Sequence, residues 1–107
     1  MVSRRFDIVL VNLDPTIGSE IQKTRPCLVI SPDEMNVALR TVIVAPLTTG
    51  GKRYPSRIPC RIKGKAGFVA LDQLRSIDRV RIIHKLGRVN DATAQAVRTT
   101  LQVMFQE

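Results

Sequence analysis

Tryptophan is absent from this chain, and Phe6, Tyr54, Phe68 and Phe105 are its only aromatic residues. So few flat rings argue against the aromatic stacking platform that many single-strand nucleic-acid binders carry. Histidine is nearly missing too: His84 stands alone, which excludes a histidine–histidine acid/base pair within one chain. It lies in the strand-like run Arg81-Ile82-Ile83-His84-Lys85 and reads as an ordinary structural histidine. The two cysteines, Cys27 and Cys60, each sit in an apolar run without C-x-x-C spacing, as buried, reduced thiols of a cytoplasmic protein would. No cluster of Cys, His and carboxylates has metal-ligand spacing, so neither a metal nor another cofactor is expected. No glycine-rich loop leads a helix, which argues against nucleotide-dependent phosphoryl transfer. No apolar run is long enough to cross a bilayer and no signal-peptide pattern opens the chain, so the expected location is cytoplasmic, with no membrane partner.

Positive charge is what the chain has in excess. Seventeen Lys and Arg oppose nine Asp and Glu, a formal charge of +8 and a pI near 10.5. Such a balance suits a polyanionic partner (RNA, DNA or an acidic protein), although a basic solvated face would give the same sum. The basic residues are spread along the chain rather than gathered in a tail. The length of 107 residues, 44% of them hydrophobic, predicts one domain, residues 1–107, with a modest core.

Short β-type runs dominate. Asp7 to Asn12 (DIVLVN) predicts a strand, and Cys27 to Ser31 (CLVIS) a second one, apolar on both faces and therefore central. Ser31 and Pro32 read as the cap and first position of one or two helical turns. Thr41 to Leu47 is a third strand, followed by a mobile basic connection through Gly50, Gly51, Lys52, Arg53 and Tyr54. Pro59 places the Arg57 to Ile62 run at a sheet edge or a bulge, and Lys63-Gly64-Lys65 turns it into Gly67 to Leu71. Asp72 to Asp78 leaves that strand, and Arg79 to Val89 supplies one or two more. Asn90 caps a helix from Asp91 to Phe105 with Ala94, Val97, Leu101 and Met104 on one face. The pattern is mainly β with a C-terminal helix: a small, partly open barrel with the helix packed on it.

The chemistry-bearing residues are few. Leu13 to Ser31 forms a polar loop that runs through Arg25-Pro26 into the second strand. Arg25 has the guanidinium for bidentate contact with phosphate, but it is a poor proton shuttle. Thr48 and Thr49 offer hydroxyls at a strand end, and Glu20 and Asp72 offer carboxylates in loops. RNA cleavage without metal needs an activated 2′-hydroxyl, a neutralised phosphate and a proton for the leaving 5′-oxygen. Arg25 meets the second need, and Thr48 can hydrogen-bond the phosphate or the 2′-oxygen. These residues alone name no general base. Each also has a plainer role: Arg25 can pair with Glu20 or Asp14, the threonines can serve a turn, and Asp72-Gln73 can cap backbone.

Taken together these residues resemble the MazF/PemK family of toxin endoribonucleases over nearly the whole chain. The carriers are Asp7-Ile8-Val9, Asp14 to Glu20, Thr24-Arg25-Pro26, Leu28 to Pro32, Asn36 and Val44 to Thr49. Tyr54-Pro55, Asp72 to Asp78 and Leu86 to Val89 complete them in the family's order. The resemblance implies an SH3-like (PemK/CcdB-like) barrel and a homodimer that cuts single-stranded RNA at short specific sequences. The implied reaction is metal-independent, leaves 2′,3′-cyclic phosphate and 5′-hydroxyl ends, and inhibits translation and growth. A cognate MazE-like antitoxin with an acidic disordered tail is the implied protein partner.

Residue by residue, Arg25 matches the family's catalytic arginine and Thr48 its catalytic hydroxyl, with Thr49 one place away. Ser19, Glu20, Gln22 and Lys23 fall in the flexible loop that covers the site and contacts RNA. Lys52, Arg53, Arg57, Gln73 and Arg75 are further expected RNA contacts. Asp72 matches an aspartate proposed as acid/base in the PemK/Kid branch, whose histidine and arginine are here Ser19 and Ala70. That departure favours the Arg-Thr scheme of the MazF branch. The alternative is a CcdB-like gyrase poison, which shares the barrel but acts through a protein interface. Arg25 and Thr48 argue for the ribonuclease.

Overall fold

In the computed structural model, which describes residues 2–50 and 53–107, seven strands and two helices follow one another along the chain. The strands are β1 (Asp7–Asn12), β2 (Thr24–Val29), β3 (Thr41–Thr48), β4 (Arg57–Ile62), β5 (Lys65–Ala70), β6 (Arg75–Asp78) and β7 (Ile82–Arg88). Helix α1 (Asp33–Ala38) sits between β2 and β3, and α2 (Asp91–Phe105) ends the fold. All the strand pairs are antiparallel, in the order β4-β5-β3-β2-β1-β7, with β6 also on β3. The sheet curls into the expected partly open, SH3-like barrel with the C-terminal helix against it.

Both faces of the central strands are buried, so β2 reads apolar without interruption from Cys27 to its end at Val29. Val9, Val11, Leu13, Cys27, Val29, Val42, Val44 and Ile77 form one core. The alternate residues Ile8, Leu28, Ala45 and Leu47 join Ile58, Val69, Leu71, Ala94 and Val97 in the other, beneath the β4–β5 hairpin and α2. Two periods of alternation thus feed two apolar layers from the same strands. Burial pushes the Cys27 thiol up to about 12, against the weaker opposing influence of Arg75 and Arg25. Both cysteines are free and buried.

Pro59 does lie on the edge strand β4, opposite Phe68 of β5. Pro46 marks the point where β3 exchanges partners, from β6 (Val44 opposite Arg75) to β5 (Leu47 opposite Val69). Asn90 accepts from the Thr93 amide at 2.8 Å and starts α2 where its cap was expected.

Four local readings change. Strand β2 begins at Thr24, so Arg25 lies inside it; Pro26 holds its predecessor extended, and Asn12–Thr24 closes the ladder. Ser31 is not a helix cap: its hydroxyl is bound to Asn36 Oδ1 at 2.5 Å and accepts from the Ile43 amide at 3.0 Å, inside the fold. Arg75 to Asp78 is a true strand, after a single turn of 3-10 helix at Leu71–Gln73. The far end of α2 runs past the barrel, leaving Met104 and Phe105 36% and 72% exposed. The basic connection after Thr49 includes Gly51 and Lys52, which lie outside the described residues.

Candidate active site

The β2–β3 ladder pairs Cys27 with Pro46, Leu28 with Ala45 and Val29 with Val44. Continued by two residues, the same register sets Arg25 opposite Thr48, the last residue of β3. Opposed residues of an antiparallel pair direct their side chains to the same face, so Thr48 rather than Thr49 is the arginine's partner. Both open onto one cleft of about 300 Å³, floored by Pro26, Leu47, Cys60, Ile62 and Leu86 and rimmed by Thr49, Lys63 and Lys65.

Charge in this cleft is of one sign. Arg25, Lys63 and Lys65 line it, and no Asp, Glu or His does among the described residues. Arg25 Nε donates to the Gln22 carbonyl at 2.9 Å, which fixes the guanidinium plane. Its two terminal nitrogens have no protein acceptor among the described residues. The carboxylates that stood as its alternative partners are engaged elsewhere. Glu20 Oε1 accepts from the Ile17 amide at 2.8 Å, and Asp14 Oδ1 from the Lys23 amide at 3.0 Å. An arginine aimed, half-buried and left without a counter-charge is prepared for an anionic ligand. Thr48 Oγ1 accepts weakly from the Gly50 amide at 3.4 Å and keeps its proton to donate. Gly67 lets β5 close on this strand end: a Cβ there would stand 2.8 Å from the Thr48 carbonyl oxygen.

The loop between β1 and β2 forms a neighbouring groove rather than the wall of this cleft. Ser19, Glu20, Gln73 and Arg75 line that groove together with Ile21 and Pro46. The loop is strapped down: Gln73 accepts from the Ile21 amide at 2.7 Å and donates to the Ser19 carbonyl at 3.2 Å. Arg75 donates to the Leu13 carbonyl at 3.2 Å, and Arg81 to the Asn12 and Asp14 carbonyls. Gln22 and Lys23 close the loop, exposed, with Lys23 at φ +72° as the chain turns into β2.

Asp72 borders that loop groove too, and with Arg57 it lines a third groove beside Tyr54 and the side of α2. Arg57 donates to both carboxylate oxygens of Asp72, at 2.7 and 2.9 Å, and Ser56 Oγ adds a third bond at 3.0 Å. Those bonds, Arg57's first, hold the Asp72 carboxyl below its ordinary range and raise Arg57 above its own. Arg57 also lies 5.4 Å from the Tyr54 ring centre. Arg53 is exposed beside this groove in sequence, and Ala70 is fully buried at the end of β5. His84 is exposed on β7, outside the cleft. Lys63 and Lys65 are the cleft residues that the sequence candidates omitted; two lysines flanking a glycine at a hairpin tip were the available signal.

The model of the PemK-like, MazF-like toxin of type II toxin-antitoxin systems matches residues 4–105. The chain belongs to this family. A curated relative, Endoribonuclease EndoA of Bacillus subtilis (strain 168), is 32% identical over 111 residues, covering 96% of this chain and 94% of EndoA. Among solved structures, MazF of Deinococcus radiodurans superposes with a TM-score of 0.86 at 29% identity, over 97% of this chain and 96% of that one. The MazE–MazF complex from the same organism gives 0.78 at 25% identity, over 100% and 99%. Arg25 and Thr48 therefore stand at the mouth of a cleft in a MazF-like toxin.

Proposed function

We propose that this MazF-like endoribonuclease toxin cuts single-stranded RNA in the Arg25–Thr48 cleft, at short specific sequences and without a metal ion. One observation carries the reading: a half-buried arginine with no carboxylate partner among the described residues faces a threonine hydroxyl in a mostly apolar cleft whose charged lining residues are all cations. In the reaction the 2′-hydroxyl loses its proton as the O2′–P bond forms, and the 5′-oxygen gains one as P–O5′ breaks. The products are a 2′,3′-cyclic phosphate and a 5′-hydroxyl. Negative charge grows on the non-bridging oxygens, where the terminal nitrogens of Arg25 donate and neutralise it. Thr48 holds a phosphate oxygen or the 2′-oxygen in line. The cleft offers Mg²⁺ no carboxylate, its usual protein ligand, and supplies the positive charge from side chains instead.

Asp72 has a structural part in this reading. Its carboxylate is ionised and held by Arg57 in another groove, a poor state for an acid. The +8 charge suits RNA and also an antitoxin with an acidic disordered segment lying over the cleft. The Deinococcus radiodurans MazE–MazF complex supports a MazE-type partner. The working unit in this reading is a homodimer in the cytoplasm, and cleavage of mRNA stops translation and growth.

The deciding experiment incubates the purified protein with a long RNA in EDTA and sequences the new 5′ ends. Expected are discrete fragments with 5′-hydroxyl and cyclic-phosphate ends clustered at one short motif. An intact RNA under these conditions, with a folded protein that inhibits gyrase, would assign the CcdB-like alternative.

A further inference from the structure

The hairpin joining β4 to β5 is closed by Lys63 and Gly64 alone, since Ile62 pairs directly with Lys65. Both turn residues have positive φ, +49° at Lys63 and +81° at Gly64. Such a turn is the usual place for glycine, which has no Cβ, or asparagine, whose short polar side chain tolerates the left-handed region. A lysine there works against the local backbone preference, and strained residues of this kind cluster where a side chain has a task. Arg61 Nη1 donates to the Gly64 carbonyl at 3.0 Å and stiffens the tip. Lys63 and Lys65 line the same cleft as Arg25, and neither forms an ion pair with a carboxylate among the described residues.

We infer that this hairpin is a phosphate clamp for the RNA strand: Lys63 and Lys65 hold backbone phosphates flanking the one that Arg25 engages. The inference rests on the ribonuclease reading of the cleft and adds a second function to it. An ammonium on a flexible stem binds phosphate as a point charge and does not read base edges. The hairpin therefore contributes affinity and register but no sequence choice, which falls to other parts of the surface.

Binding of a mixed-sequence single-stranded RNA, 2′-O-methylated throughout so that it is not cut, tests this across a salt series. Removing one lysine–phosphate pair lowers the slope of log K against log salt by about 0.7. Lys63→Ala with Lys65→Ala should lower it by about 1.4 and weaken binding similarly for unrelated RNA sequences. On cleavable RNA the loss should fall on KM more than on kcat, with the cut motif unchanged. Lys63→Asn removes one charge while relieving the turn, so its smaller drop in slope reports phosphate binding rather than misfolding. Lys63→Arg with Lys65→Arg should restore the slope.

An unchanged slope in the double variant overturns the clamp while leaving the ribonuclease reading intact, provided the wild type cuts RNA. An altered cut motif also overturns it, because it would make the lysines readers of sequence. Weakened binding of poly-glutamate with an unchanged RNA slope would assign the hairpin to an acidic protein and overturn it as well. A wild-type protein that neither binds nor cuts RNA sinks the underlying reading instead.

Discussion

Arg25 and Thr48 face each other across the open end of β2 and β3, and no carboxylate among the described residues answers the arginine's charge. The pairing follows from register: two residues beyond Cys27 and Pro46, both strands run out of their shared ladder and open onto the cleft. On the proposed mechanism, replacing Arg25 by Ala removes the phosphate's main donor but no interior packing. Cleavage should fall by about 10²–10³, the cost of losing one electrostatic donor to the transition state. Unfolding free energy should stay within about 0.5 kcal/mol. Rates from a labelled RNA and a thermal melt check both halves, and a folded variant cutting at the wild-type rate refutes the assignment.

The same register separates the two threonines. Thr48 ends the strand opposite Arg25, and Thr49 follows it on the exposed side. Thr48→Ala should therefore cost far more cleavage than Thr49→Ala, with both proteins folded. Two equal mild losses would show that neither hydroxyl contacts the reacting phosphate.

How much of this was legible in the sequence depends on the range of the interaction. Strands β1 and β4 and helix α2 were readable because a β-branched apolar run, an edge proline and an Asn90 cap are local signals. Arg25 stood out by its place before Pro26, but its freedom from Glu20 and Asp14 did not, since that depends on where each loop carboxylate turns. Lys63 and Lys65 joined the cleft only through the fold: they lie nearly forty residues beyond Arg25 and reach it by the β3–β5 pairing. Asp72 looked like free chemistry because its partner, Arg57, sits fifteen residues away across a hairpin. Ser31 misled as a helix cap because its hydroxyl binds the Asn36 side chain and the Ile43 amide of β3 rather than an amide of the helix's first turn.

Gly67 is a steric requirement of the site. A Cβ at this position meets the Thr48 backbone oxygen at 2.8 Å, so either β5 or the end of β3 has to move. Gly67→Ala should destabilise the fold by about 1–3 kcal/mol, as overpacking does. Misplacing Thr48 by about 1 Å should lower kcat by up to about 10²-fold even where the protein remains folded. Gly87→Ala, which meets nothing within 4 Å, is the matched control and should keep both properties. Equal behaviour of the two variants would show that the strand end adapts.

Gln73 acts as a strap on the β1–β2 loop through its bonds to Ile21 and Ser19. Gln73→Ala removes both and leaves a loop amide and carbonyl to find water. Hydrogen exchange should quicken at Ile21 and its neighbours while β2 and β3 keep their protection. RNA binding should weaken as the loop pays more ordering entropy on contact. Unchanged exchange at Ile21 would show that the loop's internal bonds suffice.

The Arg57–Asp72 pair makes a pH prediction whose sign is fixed by direction alone. The folded carboxyl titrates below its ordinary range, chiefly because Arg57 donates to it. Its stabilising contribution is therefore complete above the unfolded value of about 3.9 and disappears as pH falls through the lower folded value. Because the Asp72 side chain is 37% exposed, solvent screening keeps the contribution to about 1 kcal/mol. Asp72→Asn should lose about that much stability at pH 7 and converge with the wild type in strong acid. Urea melts at several pH values measure the difference, and parallel curves down to the lowest pH would deny the coupling. Cleavage by the folded variant at pH 7 is the second readout: a loss of about 10²-fold or more would return Asp72 to the acid/base chemistry of the reaction.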